Sequence, residues 1–236
     1  MIRLDKYLCD RESITRKEAK SLIKTGKVKV DGREVLSPEY KFEESSAEVT
    51  IGARKINSDE FVYIVMNKPV GVVCAAEDKR DKTVFDILPN ELKRKGLFTV
   101  GRLDKDTVGL LVITNDGGLS HRLLSPKHHV PKEYYVEGAG EIAPDAEVRF
   151  KEELSLGMHK LKPAELKIIS CDENTVKACL TISEGKFHQV KRMMYEVGVE
   201  VTYLKRTAFG GLTLPEDLSE GEARFLTAEE IKKLGK

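Results

Sequence analysis

The chain has 236 residues, 40 of them Lys or Arg and 39 Asp or Glu, for a formal net charge of +1. With 40% hydrophobic and 33% charged residues, its composition is that of a soluble globular protein and excludes a disordered, collagenous or membrane-embedded chain. The longest apolar runs, 61–66 and 108–113, fall far short of the roughly 18 residues of a membrane span, and MIRLDKYLCD lacks a signal-peptide apolar region, so a cytoplasmic address is expected.

The first 33 residues carry ten basic and five acidic side chains, so the near-neutral total conceals a basic segment. Within it Leu4, Tyr7 and Leu8 fit one face of a short helix. Ala19, Leu22 and Ile23 fit a second, which Thr15 can N-cap and Gly26 can terminate, leaving Arg16, Lys17 and Lys20 on its outer face. Val28 and Val30 alternate with Lys27 and Lys29, and Asp31-Gly32 predicts a hairpin turn before 33–35. Residues 54–60 (RKINSDE) are polar and read as a linker. From Phe61 the character changes to strand-like runs at 61–66, 71–74, 97–100, 110–114, 134–136, 166–169, 176–182 and 199–203, with helices at 118–124 and 188–197. The pattern predicts an α+β chain: a small domain at 1–59, then a domain at 60–236 built on a mixed or antiparallel sheet. Cys9, Cys74, Cys171 and Cys179 show no ligand spacing, so neither a metal site nor a disulfide framework is expected.

In GRLDKDTVGLLVITNDG, residues 101–117, apolar strands flank a polar loop, which puts Arg102 and Asp104 at the mouth of a sheet. By residue type alone, Asp104 and Asp106 read more readily as turn acids than as a site. Tyr134 and Tyr135 are adjacent on a strand, so only one of them can face a given side of the sheet.

The ordered motifs R-L-D-K-x-L, T-R-x-E-A and G-K-V-x-V-D-G-R resemble the S4 RNA-binding domain over residues 2 to about 50, and GRLDKDTVGLLVITNDG closely resembles the signature of RsuA-type RNA pseudouridine synthases. Three further stretches support the second resemblance: Asn67-Lys68-Pro69-Val70-Gly71, Lys132-Glu133-Tyr134, and 184–193 (EGKFHQVKRM). It implies an isomerase that breaks the N1–C1′ bond of a uridine, turns the base and joins C5 to C1′, without metal or cofactor. It places the reacting carboxylate at Asp104, a tyrosine against the target base at Tyr134, and the basic partner of the carboxylate at Lys191, with neighbouring Arg192 as a substitute. Many relatives carry Arg at that position, and Lys supplies the charge without the bidentate fork.

The same resemblance implies RNA contacts from Arg16, Lys17 and Lys20 in the S4-like part and from Arg102, His121, Arg122, His188 and Arg192 beyond it, because flipping a uridine out of folded RNA costs a few kcal/mol that phosphate contacts help offset. The run S-H-R-x-x-S-P-x-H-H at 120–129 resembles members that act on small-subunit rRNA, so a monomeric enzyme for 16S rRNA is expected. The same chemistry on 23S rRNA, or an S4-type RNA-binding protein without activity, are the alternatives.

Overall fold

Alternation of apolar and polar residues at helical and strand periods organises the chain into two compact units, residues 1–62 with 115–117 and residues 63–114 with 118–236. The computed structural model describes all residues except 13, 45, 57–60, 126–129, 153–154, 157–158 and 236.

The first unit contains β1 (Ile2–Arg3), α1 (Leu4–Glu12), α2 (Arg16–Lys24), β2 (Val28–Val30), β3 (Arg33–Glu34), β4 (Lys41–Phe42), β5 (Val49–Ile51) and β6 (Arg54–Lys55). Leu4, Leu8, Ala19 and Ile23 meet Val28, Val30, Phe42 and Val49 in one core, where the Tyr7 and Phe42 rings meet edge to face at 5.1 Å. Arg3 grips the buried Asp5 carboxylate through two hydrogen bonds of 3.0 and 2.8 Å, which holds Asp5 below the usual carboxylate range. Thr15 caps α2 in a reciprocal box with Glu18, and Gly26, at φ 74°, ends that segment in the left-handed region. The expected linker is corrected in part: Arg54 and Lys55 pair with Ile51 and Thr50, and Ile56 is buried in the same core. A single apolar residue in a polar run has no periodicity by which the sequence could signal this; the remainder of that segment, 57–60, lies outside the described residues.

The second unit begins with β7 (Tyr63–Lys68), α3 (Val84–Ile87), β8 (Phe98–Thr99), β9 (Val108–Thr114) and α4 (Gly117–Leu124), whose first residue is counted with the other unit. It continues through β10 (Lys132–Gly140), α5 (Ala146–Lys151), β11 (Ser155–Leu156), β12 (His159–Lys160), β13 (Glu165–Asp172) and β14 (Thr175–Ile182). It ends with α6 (Gln189–Tyr195), β15 (Val199–Phe209), β16 (Leu212–Thr213), β17 (Ala223–Phe225) and α7 (Ala228–Lys233). Among the described residues, nine strands form a mixed sheet in the order β13-β14-β10-β15-β9-β7-β17, with β8 on β9 and β16 on β15. Every pairing is antiparallel except β9 with β15. At that parallel seam Lys205 faces Val108 and Arg206 faces Gly109. Gly109 has φ 100°, and a Cβ there would lie 2.4 Å from the Arg206 carbonyl oxygen, so only glycine lets the two strands close.

β9 is buried along its whole length, as a continuous apolar run between two covered faces should be, with Leu111 and Ile113 in one core and Leu110 and Val112 in the other. The expected strand at 71–74 is not formed; Val73 makes one isolated bridge to Thr83, because the segment turns at Gly71 (φ 84°) to follow the loop before β9. Among the described residues, no helix is long and apolar enough to cross a membrane.

Candidate active site

The loop 101–107 enters β9 beside the parallel seam, and the Asn67-Lys68-Pro69-Val70-Gly71 segment holds it in place. Lys68, fully buried, donates from Nζ to the carbonyl oxygens of Thr107 (2.8 Å), Pro69 (3.0 Å) and Lys105 (3.3 Å). Gly71 N–H donates to the Lys105 carbonyl at 2.8 Å, Leu103 N–H to Cys74 Sγ at 3.4 Å, and Thr107 N–H closes the turn onto the Asp104 carbonyl at 3.1 Å. Backbone carbonyls and an ammonium thereby replace the solvent around a loop of seven residues, and Asp104 is carried on a rigid support.

Asp104 lines a cleft with Tyr134, His188, Lys191, Gln189 and Arg102. Its carboxylate is about one-third exposed, with Oδ1 3.7 Å from His188 Nε2. Tyr134 projects from β10 and is 7% exposed, its ring forming a wall of the cleft. Tyr135 points to the other side, donating to Glu137 Oε1 at 2.6 Å and meeting the Tyr203 ring edge to face, and the Glu137 carboxylate pushes its hydroxyl up to about 12. The two-residue period of the strand puts the two tyrosines on opposite faces, and Tyr134 is the one that lines the cleft.

The 184–189 turn forms the opposite wall. Gln189 accepts from Lys186 N–H at 2.9 Å and donates to Glu184 Oε1 at 2.9 Å, so one amide ties both ends of the turn. His188, at φ 49° and ψ 34°, is one of two non-glycine residues with positive φ among the described residues, and it starts α6 in a conformation that costs free energy and is kept only where packing enforces it. Its ring is stacked on Phe187 at 3.8 Å and 17° between planes, while Phe187 itself is 77% exposed.

The structure pairs Lys191 with Asp106 and not with Asp104. Lys191 Nζ donates to the two Asp106 carboxylate oxygens at 2.6 and 2.5 Å, which holds Asp106 below the usual carboxylate range. Asp106 stands two positions after Asp104 in the same turn, and the first turn of α6 brings Lys191 to it across 85 positions of the chain. Arg192 is exposed and does not line the cleft. Arg102 is exposed at the cleft edge, whereas His121 and Arg122 project from the exposed face of α4 and line neither the cleft nor the larger cavity beside it. Pro126, Lys127, His128 and His129 of the histidine-rich run lie outside the described residues. In the first unit, Arg16, Lys17 and Lys20 are exposed on α2 while Ala19 is buried.

Three features were missed by reasoning from the sequence: the Lys68 support of the loop, the Asp106 partner of Lys191, and the exposed ring of Phe187. Only the last had a sequence signal, an aromatic residue between Lys186 and His188 in a polar turn.

The sequence profile of the RNA pseudouridylate synthase family matches residues 62–196, and that of the S4 domain matches residues 2–47. The chain is 44% identical over 234 residues to an uncharacterized RNA pseudouridine synthase of Bacillus subtilis strain 168, covering 99% of this chain and 98% of that protein. It is 44% identical over 237 residues to the ribosomal small subunit pseudouridine synthase A of Vibrio cholerae, covering both chains completely. A crystal structure of a pseudouridylate synthase superposes with a TM-score of 0.70 at 37% identity, covering 99% of this chain and 100% of that one. A more distant H/ACA ribonucleoprotein structure, at 19% identity and a TM-score of 0.51 over 67% of this chain and 50% of that one, shares the fold alone.

Proposed function

We propose that this chain, which belongs to the RNA pseudouridylate synthase family and carries an N-terminal S4 domain, isomerises one uridine of 16S rRNA with Asp104 as its reacting carboxylate. The observation that supports the assignment best is the cleft itself: an accessible carboxylate on a pinned loop, facing a buried tyrosine, beside a histidine held in the left-handed region. The reaction oxidises nothing and transfers no group to a second molecule. The N1–C1′ bond breaks, the base turns, C5 bonds to C1′, and the C5 proton is lost as N1 gains one. A carboxylate able to meet an electron-poor carbon of the sugar or the base serves that sequence; in this reading Tyr134, in the wall of the cleft, lies against the base and passes a proton. Lys191, its charge balanced by Asp106, gives the cleft a polar wall, and His188 Nε2 stands 3.7 Å from the Asp104 carboxylate.

The small-subunit substrate is supported by a full-length relative that acts there, and by the residues Ser120-His121-Arg122, with Arg102 and Arg192 as further RNA contacts. Mapping pseudouridines by primer extension in 16S and 23S rRNA from a strain lacking the protein tests it. One missing stop in 16S rRNA is the expected result; loss from 23S rRNA with an unchanged 16S pattern would refute the substrate.

Phe187 fits this reading as the face that receives a base when the uridine leaves the stack. Stacking of a base on an aromatic ring is worth ~1–3 kcal/mol, so Phe187→Ala should lower kcat/KM by roughly 5- to 150-fold, with Phe187→Tyr restoring most of it. A value within twofold of wild type in the alanine variant would remove Phe187 from the site.

A further inference from the structure

A second cavity of about 550 Å³ opens beside the Asp104 cleft, and Arg102, Tyr134, Gly185 and Lys186 line both. Its volume falls in the range of roughly 300–1,000 Å³ that encloses a whole small ligand. Lys132 and Arg206 are the buried cations of its lining, which also holds Arg102, Lys162 and Lys186, and Leu123, Val130 and Phe209 form an apolar wall. Strand register brings the two cations together: on β10 and β15, Tyr134 faces Arg206 and Lys132 faces Phe209.

Both cations are buried, Lys132 at 9% exposure and Arg206 at 2%. Lys132 Nζ donates to the Val130 carbonyl at 2.8 Å, and Arg206 Nε to the Leu110 carbonyl at 2.7 Å. Arg206 Nη2 is buried with no hydrogen-bond partner, and among the described residues neither cation forms an ion pair. Among the described residues, the one carboxylate lining the cavity, Glu184, is engaged by Gln189, by the Lys162 N–H and by Lys186. The Phe209 ring faces both cations, at 5.5 and 5.3 Å. Cation–π contact is worth up to about 2 kcal/mol, whereas taking a charge out of water costs several kcal/mol per ion, so the ring alone does not offset two desolvated like charges. Burial, and then the neighbouring Arg206, lower Lys132 to about 8, against a smaller opposing pull from Glu184.

We propose that this cavity is a phosphate subsite, in which Lys132 and Arg206 bind a phosphodiester of the RNA strand next to the uridine held at Asp104. The phosphodiester is the anion every RNA substrate brings, the two cavities share a wall, and the apolar side accepts the attached sugar or base. The assignment rests on the reading that the reacting uridine sits in the Asp104 cleft. With the neighbouring phosphate anchored there, the strand is held on one side of the reacting nucleotide.

The test is thermal unfolding of the full-length protein in millimolar inorganic phosphate against sodium chloride of equal ionic strength, together with steady-state tritium release from C5-labelled rRNA. Phosphate should raise the melting temperature of wild type by a few degrees, and Lys132→Met should lose that rise and increase KM roughly 10- to 100-fold with kcat within about threefold. Lys132→Arg keeps the charge and should keep the phosphate response, which separates charge from packing; Lys132→Gln serves if the methionine variant does not fold. Equal phosphate protection in wild type and the neutral variant would overturn the subsite. Asp104→Asn should retain full phosphate protection, so the subsite and the Asp104 assignment can fail independently.

Discussion

Asp104→Asn is expected to reduce single-turnover tritium release from C5-labelled rRNA by on the order of 10³-fold or more, while RNA affinity stays within about threefold and the fold is unchanged. The large effect follows from the chemistry: an amide has neither the charge nor the nucleophilicity to meet the electron-poor carbon, and no other carboxylate stands in the cleft among the described residues. The small effect on stability follows from the surroundings. The loop is pinned through backbone groups, by Lys68, by the Gly71 N–H and by the Thr107 turn, and the Asp104 carboxylate lies 3.7 Å from His188 Nε2. An isosteric amide therefore disturbs little. Release at a rate within tenfold of wild type would remove Asp104 from the chemistry.

Replacing Arg16, Lys17 and Lys20 together by glutamine should weaken RNA binding and flatten its salt dependence, leaving kcat at saturating RNA unaltered. Each phosphate contact contributes roughly 0.7–0.9 to the slope of log K against log salt, so loss of three predicts a slope smaller by about 2 to 3. The fold is expected to survive, because α2 is held by the Thr15–Glu18 box and by Ala19 and Ile23, which face inward, while the three cations are exposed. Filter binding across a salt series reads the slope directly. An unchanged slope would show that the basic face of α2 is merely solvated.

The two cases differ in how visible they are from the sequence. The basic helix is local: its cap, apolar face and charges all lie within ten consecutive residues, and the helical period sorts them without tertiary information. The same holds for the turn at Asp31-Gly32, where both residues have positive φ; the strand period, by contrast, says only that Tyr134 and Tyr135 face opposite sides, and it is the family resemblance that points to Tyr134. The site proper depends on approach between distant segments. Lys191 reaches across 85 positions to Asp106, and Lys68 across 37 to Lys105. Residue types alone offer Lys191 either of two carboxylates two positions apart, and only the path of the turn decides between them.

By itself, then, the sequence determined what is periodic or contiguous: an α+β chain, an S4-like module with a basic helix, a buried strand following an acidic loop, and the family resemblance carried by GRLDKDTVGLLVITNDG. Tertiary structure decided what depends on register and crossing. The parallel closure of β9 on β15 at Gly109, the placement of Lys132 and Arg206 at one wall, and the exchange of Asp104 for Asp106 as the partner of Lys191 all come from pairings between segments far apart in the chain. Such pairings are selected by burial and hydrogen-bond satisfaction over the whole sheet, and no local window of residues carries that information.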